Sequence, residues 1–394
     1  MSRDMVRIAV LGSTGSVGRG VLDVVSRNRD KFDVVSLSAW TSVKLLSAQA
    51  RAVGASRIAV GPGGFSTADV PAGVAVTEGA DALEALASDP DVDVVVNALV
   101  GASGLRPTVA AVAAGKRVAL ANKESLVAAG ELVMRTASKT GAEIVPVDSE
   151  HSSLFRCLRG TPDAEVDSLV LTASGGPLRD RPLQEMSAAG LEEVLAHPTW
   201  NMGDKVTVDS ASLANKAMEV IEAHWLFEMP FDRIEVLIHR ESVVHSLVRL
   251  KDGSLLAHLG PPDMRVPIQY ALSYPDVPEN SFERCDLAEL GALHFERVDA
   301  RRYPCFSLLL GAGRKGGTSP AIAAAADEAA VAAFTAGFIG FGDIAVVIER
   351  TLESLRPTSS TDLQSILRAD ADARAVAEEI TSGLTRSGVG PNGE

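Results

Sequence analysis

Gly12, Gly15 and Gly18 stand three apart, directly after the apolar run Arg7 to Leu11 and before the helical stretch Arg19 to Ser26. A strand, a glycine turn and a helix in that order suit a pyrophosphate. Glycine lets the backbone approach the phosphates, and the helix start offers free N–H groups with a partial positive charge. The spacing is G-x-x-G-x-x-G rather than G-x-G-x-x-G, and a plain tight connection is the alternative reading. A cofactor with a free ribose 2′-hydroxyl usually meets an Asp or Glu at the end of the second strand. Here the stretch Ser38-Ala-Trp-Thr-Ser42-Val-Lys44 holds no carboxylate, which favours NADP over NAD and offers Thr41, Ser42 and Lys44 to a 2′-phosphate.

A second group, Asp148-Ser149-Glu150, closes the run Glu143 to Val147. Continued extended geometry would point both carboxylates to one side, where they call for a cation or a proton between them. A solvated loop capping a helix is the alternative. A third group lies on a helical stretch from Ala211 to about Phe227, with Ser210 as its N-cap. Ser212, Asn215, Lys216 and Glu219 fall at i, i+3, i+4 and i+7, a polar stripe on a surface otherwise covered by Leu213, Ala214, Ala217, Met218, Val220 and Ile221. A helix so apolar is buried and its stripe faces a cavity, unless Lys216 and Glu219 simply form an exposed i, i+3 pair. Three carboxylates without a His or Cys cluster suit Mg²⁺ or Mn²⁺ better than Zn²⁺. Ser210, Asn215 and Lys216 beside them suit a phosphate.

The elements that must position these groups follow from periodicity. The runs Arg7 to Leu11, Asp33 to Leu37, Arg57 to Val60, Val92 to Ala98, Arg117 to Ala121 and Glu143 to Val147 alternate with Ala-rich helical stretches. That alternation predicts an α/β fold with an N-terminal Rossmann-like, doubly wound parallel sheet over 1–148, whose ligands bind beyond the carboxyl ends of the strands. Residues 149–280 read as a central α+β domain, with strands at Ser168 to Thr172 and Ile234 to His239 and a Pro-rich connecting segment over 261–280. A linker over 281–304 leads to a C-terminal helical bundle, 305–394, with a mobile Gly-rich tail from Thr381.

Bulk properties narrow the function. With 394 residues the chain has room for two or three domains. Its 37 Lys and Arg against 51 Asp and Glu give a net charge of −14, which argues against nucleic acid and anionic membranes as partners. Cys157, Cys285 and Cys305 are odd in number and lack C-x-x-C spacing, as expected in a reducing cytoplasm. No signal-peptide pattern and no membrane-length apolar run is read.

The blocks ANKESLV (121–127), PVDSEHSS (146–153), TASGGP (172–177), HPTWNMG (197–203) and DSASLANKAMEVIEAHWLF (209–227) occur in order, and together the chain resembles the 1-deoxy-D-xylulose 5-phosphate reductoisomerase family of the methylerythritol phosphate pathway of isoprenoid precursor synthesis. The resemblance implies an oxidoreductase and isomerase that uses NADPH and a divalent cation, acts on a small sugar phosphate and forms a homodimer through the central domain. It implies NADPH contacts by Gly12, Thr14, Gly15, Ser16, Val17, Asn122, Glu124 and Gly203, and metal ligation by Asp148, Glu150 and Glu219. Lys123 and Ser149 would meet the oxygen-bearing carbons of the substrate, and Ser174, Ser210, Asn215 and Lys216 its phosphate. His197, Trp200 and Met202 would belong to a loop closing over the site, with Trp200 as an apolar cover. Lys123, Asp148, Glu150, His197 and Glu219 are the expected catalytic set. The family's Gly-x-Asn turn after the second strand is Trp40-Thr41-Ser42 here, and its His-Pro-Gln-Ser is His239-Arg240-Glu241-Ser242. A competing class, the NADP-dependent semialdehyde and acyl-phosphate reductases, would need Cys157 as a nucleophile. A dinucleotide sensor would need no carboxylate triad.

Overall fold

The computed structural model describes residues 5–63, 70–200, 202–359 and 361–387. They fall into two compact units. The first takes the described residues of Met1–Ser125, Val133–Phe155 and Asp263–Glu283, and the second those of Leu126–Leu132, Arg156–Pro262 and Arg284–Glu394.

The first unit is built on seven parallel strands: β1 (Val6–Leu11), β2 (Phe32–Ala39), β3 (Arg57–Val60), β4 (Ala75–Glu78), β5 (Val94–Asn97), β6 (Arg117–Leu120) and β7 (Ile144–Pro146). Their order, β4-β3-β2-β1-β5-β6-β7, reverses direction at β1, so the switch point lies where β1 ends beside β5. Ile8, Val10, Leu37, Ile58 and Val96 are buried, the continuous apolar pattern of a sheet covered on both faces. Six strands match the runs read from sequence. The seventh, β4, is a mostly exposed edge strand whose residues carry no apolar run. Part of the Pro-rich segment read as a connection is the helix Arg265–Ser273, which joins this core through Ile268.

Extended geometry does not continue past β7. The helix Ser149–Leu158 starts at once, its first bond running from Ser152 N to Asp148 O at 2.8 Å. Asp is a favoured residue immediately before a helix, and that local preference overrides the strand pattern.

The second unit holds a mixed sheet, β8 (Val166–Ala173), β9 (Ile234–Ile238), β10 (Val244–Leu250), β11 (Leu255–Leu259) and β12 (Glu296–Arg297), in the order β11-β10-β8-β9-β12. β8 and β9 pair in parallel and the other neighbours are antiparallel. The helices Pro304–Lys315, Ser319–Thr335, Asp343–Ser354 and Leu363–Ser387 follow. Leu309, Ala326 and Val347 from these helices share one core with Met218 and Ile221. The last helix runs through the first part of the stretch read as a mobile tail, and residues 388–394 lie outside the described residues.

The stretch read as one helix from Ala211 is two. Asp204–Ser212 and Ala214–Leu226 meet at Leu213, which takes the left-handed conformation (φ 59°). Ser210 therefore lies inside the first helix and does not cap the second, and Ser212 leaves the stripe. A left-handed residue costs about 1–2 kcal/mol. Leu213 is 2% exposed, and burying a leucine contributes about 1.5–3 kcal/mol, enough to hold the break. Among the described residues no helix is long and apolar enough to cross a membrane.

Candidate active site

Gly12 follows β1 with φ 84°, and a Cβ there would lie 2.6 Å from Ala98 O at the end of β5. A Cβ on Gly18 would lie 2.5 Å from Ser13 Cα. Only glycine allows a turn this tight. Gly12 N donates to Ser38 Oγ (3.0 Å) and Ser13 N to Ser38 O (2.9 Å), which ties the turn to the end of β2. Ser13 Oγ donates to Gln49 Oε1 (2.8 Å), and Gln49 Nε2 returns a bond to Ser13 O (3.0 Å). The helix Ser16–Ser26 then starts with no side-chain cap and no acidic residue in its first turn. Thr14, Gly15, Ser16 and Val17 form this rim, a cradle suited to a pyrophosphate.

Asn122 follows β6 and is fully buried. Its Oδ1 accepts from Ser125 N (3.1 Å), capping the helix Lys123–Thr140, while its Nδ2 donates to Gly101 O (2.9 Å) and Glu124 Oε2 (3.0 Å). The Asn122 amide thus builds the turn that presents Lys123 and Glu124. Lys123 Nζ pairs with Asp148 Oδ2 at 2.5 Å, both side chains being largely buried. Ser149 Oγ donates to Glu150 Oε2 at 2.6 Å. The strand ends of the first unit thereby gather two carboxylates, an amine and a hydroxyl.

In the second unit, Ser174 follows β8 and precedes two left-handed glycines. A Cβ on Gly176 would meet Ser210 O at 2.5 Å, so this turn presses on the Asp204–Ser212 helix at Ser210. Ser174 Oγ accepts from Gly176 N (3.1 Å) and bonds His197 Nε2 (2.9 Å). His197 Nδ1 accepts from Thr199 N (3.2 Å) and Trp200 N (2.9 Å), which places the ring proton on Nε2 and makes His197 the donor. Burial first, and the Arg179 charge second, lower the His197 pKa from 6.5 to about 4, so the ring is neutral at pH 7. With two donors already on its oxygen, Ser174 keeps its own hydrogen to give to a ligand. The Trp200 ring lies 6.2 Å from that of His245, and Gly203 caps the following helix through its carbonyl, which accepts from Thr207 N (3.0 Å). Asn201 of this loop lies outside the described residues.

On the Ala214–Leu226 helix, Asn215 Nδ2 donates to Glu219 Oε1 at 2.5 Å and Lys216 Nζ pairs with Glu219 Oε2. Lys216 and Glu219 are 4% and 2% exposed, so the exposed-pair alternative does not hold. Asn215 Oδ1 is buried with no hydrogen-bond partner among the described residues. A buried ionic cluster with an unused acceptor is costly as mere structure and suits a polar ligand.

Sequence reasoning missed Arg179 and His245. Arg179 Nη1 donates to Ser174 O (2.9 Å), and its place five residues after Ser174 in TASGGPLRD was the available signal. His245 gave none, because alternation along β10 says only which residues face inward. Cys157 is half-buried, and burial raises its pKa against the weaker opposing effect of Arg156. It stays a thiol, which disfavours the reductase class that would acylate it.

A glycine cradle at the switch point of a parallel sheet is the arrangement of a dinucleotide-dependent enzyme, and each unit adds a lysine-paired carboxylate, at strand ends in the first and on a buried helix in the second. Family models of 1-deoxy-D-xylulose 5-phosphate reductoisomerase match residues 8–130, those of its C-terminal domain residues 144–227, and those of the DXP reductoisomerase C-terminal domain residues 259–376. The 1-deoxy-D-xylulose 5-phosphate reductoisomerase of Geobacillus kaustophilus is 47% identical over 382 residues, covering 96% of this chain and 100% of the relative. That of Chlorobium phaeovibrioides is 45% identical over 96% of this chain and 100% of its own. Among solved structures, the Zymomonas mobilis enzyme in complex with NADPH superposes with a TM-score of 0.86 at 38% identity, covering 97% of this chain and 100% of that one. A DOX-P reductoisomerase in complex with NADPH, fosmidomycin and magnesium gives 0.91 at 38% identity with the same coverage. The chain belongs to the 1-deoxy-D-xylulose 5-phosphate reductoisomerase family.

Proposed function

We propose that the chain rearranges and reduces 1-deoxy-D-xylulose 5-phosphate to 2-C-methyl-D-erythritol 4-phosphate in isoprenoid precursor biosynthesis, using NADPH and Mg²⁺ or Mn²⁺. The observation that carries this reading is the full-length likeness, with a TM-score of 0.91, to a reductoisomerase bound to NADPH, fosmidomycin and magnesium. The residues fit both groups. Asp148, Glu150 and Glu219 offer oxygen donors alone, the chemistry a hard divalent ion prefers, and the Gly12–Gly18 turn has the backbone shape a pyrophosphate needs.

A bound divalent cation would offset negative charge as the carbon skeleton rearranges, and bound NADPH would supply the hydride. Asp148, Glu150 and Glu219 would hold the cation; within its own unit Lys123 pairs with Asp148, and Lys216 pairs with Glu219. Lys123 and Ser149 contact the oxygen-bearing carbons of the substrate, and Lys123 and Glu150 serve charge stabilisation and proton transfer there. Ser174, Ser210, Asn215 and Lys216 hold the phosphate. His197 stays neutral, orients the Ser174 hydroxyl by donating to it and contacts the substrate, while Trp200 covers the bound molecule and excludes water. Thr14, Gly15, Ser16, Val17, Asn122, Glu124 and Gly203 line the cofactor path with Gly12.

A homodimer fits the edge strand β11, which among the described residues pairs with β10 alone and whose Leu255 and Leu256, on opposite faces, are 50% and 38% exposed. Three free cysteines agree with a cytoplasmic setting. The test is product identity: ¹³C-labelled 1-deoxy-D-xylulose 5-phosphate, NADPH and Mg²⁺ are incubated with the protein and the product is read by NMR. The branched erythritol phosphate is expected. An unbranched reduced sugar phosphate, or no conversion by folded protein, would overturn the reading.

A further inference from the structure

Trp40, the residue immediately after β2, is 53% exposed, whereas Trp200 and Trp225 are each partly buried. Its backbone is fixed: Gly61 N, just past β3, donates to Trp40 O at 3.1 Å. Its ring is backed by the same residue. A Cβ on Gly61 would lie 2.9 Å from Trp40 Cδ2 and 3.1 Å from Cε2, so the indole rests on a backbone bared of any side chain. A large aromatic held in this way, with over half its surface in water, presents an indole ring positioned to stack.

Its position says what covers it. Ser38, two residues earlier, takes the hydrogen bond of Gly12 N and gives its carbonyl to Ser13 N, so the pyrophosphate turn and Trp40 hang from one short piece of β2. A dinucleotide whose pyrophosphate lies on that turn extends its adenosine past the end of the second strand. No acidic residue stands in the first turn of the Val43–Val53 helix to repel a 2′-phosphate there.

We infer that Trp40 is the stacking platform for the adenine ring of NADPH. The inference rests on the reading that the dinucleotide lies on the Gly12–Gly18 turn. An indole face binds adenine through dispersion and π contact, independently of the phosphates, so its loss weakens the adenosine end alone.

The experiment is equilibrium binding, by calorimetry and tryptophan fluorescence, of two fragments to the full chain: adenosine 2′,5′-bisphosphate and reduced nicotinamide mononucleotide. The bisphosphate quenches wild-type emission, and Trp40→Ala binds it about tenfold more weakly, the size expected of one base–aromatic stack. Trp40→Phe recovers most of the affinity, and the mononucleotide binds wild type and Trp40→Ala alike. If wild type binds the bisphosphate and folded Trp40→Ala binds it equally well, the platform is overturned while the cofactor reading stands. If wild type binds neither the bisphosphate nor NADPH, the cofactor reading falls and the platform with it.

Discussion

Both units carry a lysine-paired carboxylate, but they place it differently. In the first unit Lys123 and Asp148 come from the ends of neighbouring strands β6 and β7, at 10% and 14% side-chain exposure. In the second, Lys216 and Glu219 lie one turn apart on one helix, at 4% and 3%. A parallel sheet delivers functional groups at its strand ends whatever the loops do, because strand direction fixes which end is shared. The second unit depends on a helix break at a single residue, Leu213, and on a loop between His197 and Gly203.

The largest effect tests whether the two carboxylates serve one role. Asp148→Asn and Glu219→Gln should each lower metal-dependent kcat by about 10²–10³-fold, comparable to removing a principal charge-stabilising group, and leave NADPH affinity unchanged. Steady-state kinetics with NADPH titration checks this, and a large loss in one variant alone would break the parallel. Next, Lys216→Ala should raise the KM for the sugar phosphate by about 10–100-fold, the worth of one charge-assisted hydrogen bond, with the NADPH KM unmoved. An equal rise in both would show that Lys216 supports the fold rather than the phosphate.

A smaller effect concerns acid stability. His197 has its folded pKa lowered from 6.5 to about 4, so protonation disfavours the folded state. Its contribution is fully present above about pH 6.5 and is lost as the pH falls toward 4. Wild type should therefore lose stability relative to His197→Asn across that window, with no pH-dependent difference above it, as read from unfolding midpoints. His258, whose pKa is also lowered to about 4 by burial and by Arg156, titrates in both proteins and cancels. The smallest effect is Cys157→Ser, for which turnover should stay within about twofold, as for a substitution that removes no catalytic group. A collapse of activity would revive the cysteine mechanism.

The same contrast explains what the sequence made legible. Six of the seven strands of the first unit, and the groups after β1, β6 and β7, are readable because apolar runs and glycine spacing report a buried parallel sheet. Strand β4 escaped because an exposed edge needs no such run. In the second unit Asn215, Lys216 and Glu219 were found by helical spacing and do share one helix. The spacing could not show that Ser210 and Ser212 belong to another helix, because an αL leucine held by tertiary burial leaves no local signal. The start of a helix at Ser149 was written in the residues, but the adjoining strand pattern outweighed it. The pairing of His197 with Ser174, 23 residues apart, is set by the fold alone.

The most direct measurement is NADPH oxidation by the purified protein with 1-deoxy-D-xylulose 5-phosphate, with Mg²⁺ present, removed by chelation and then restored. Oxidation that needs the sugar phosphate, stops on chelation and returns with the metal is the predicted result. Oxidation that survives complete chelation, or none by a folded protein that binds NADPH, would contradict it.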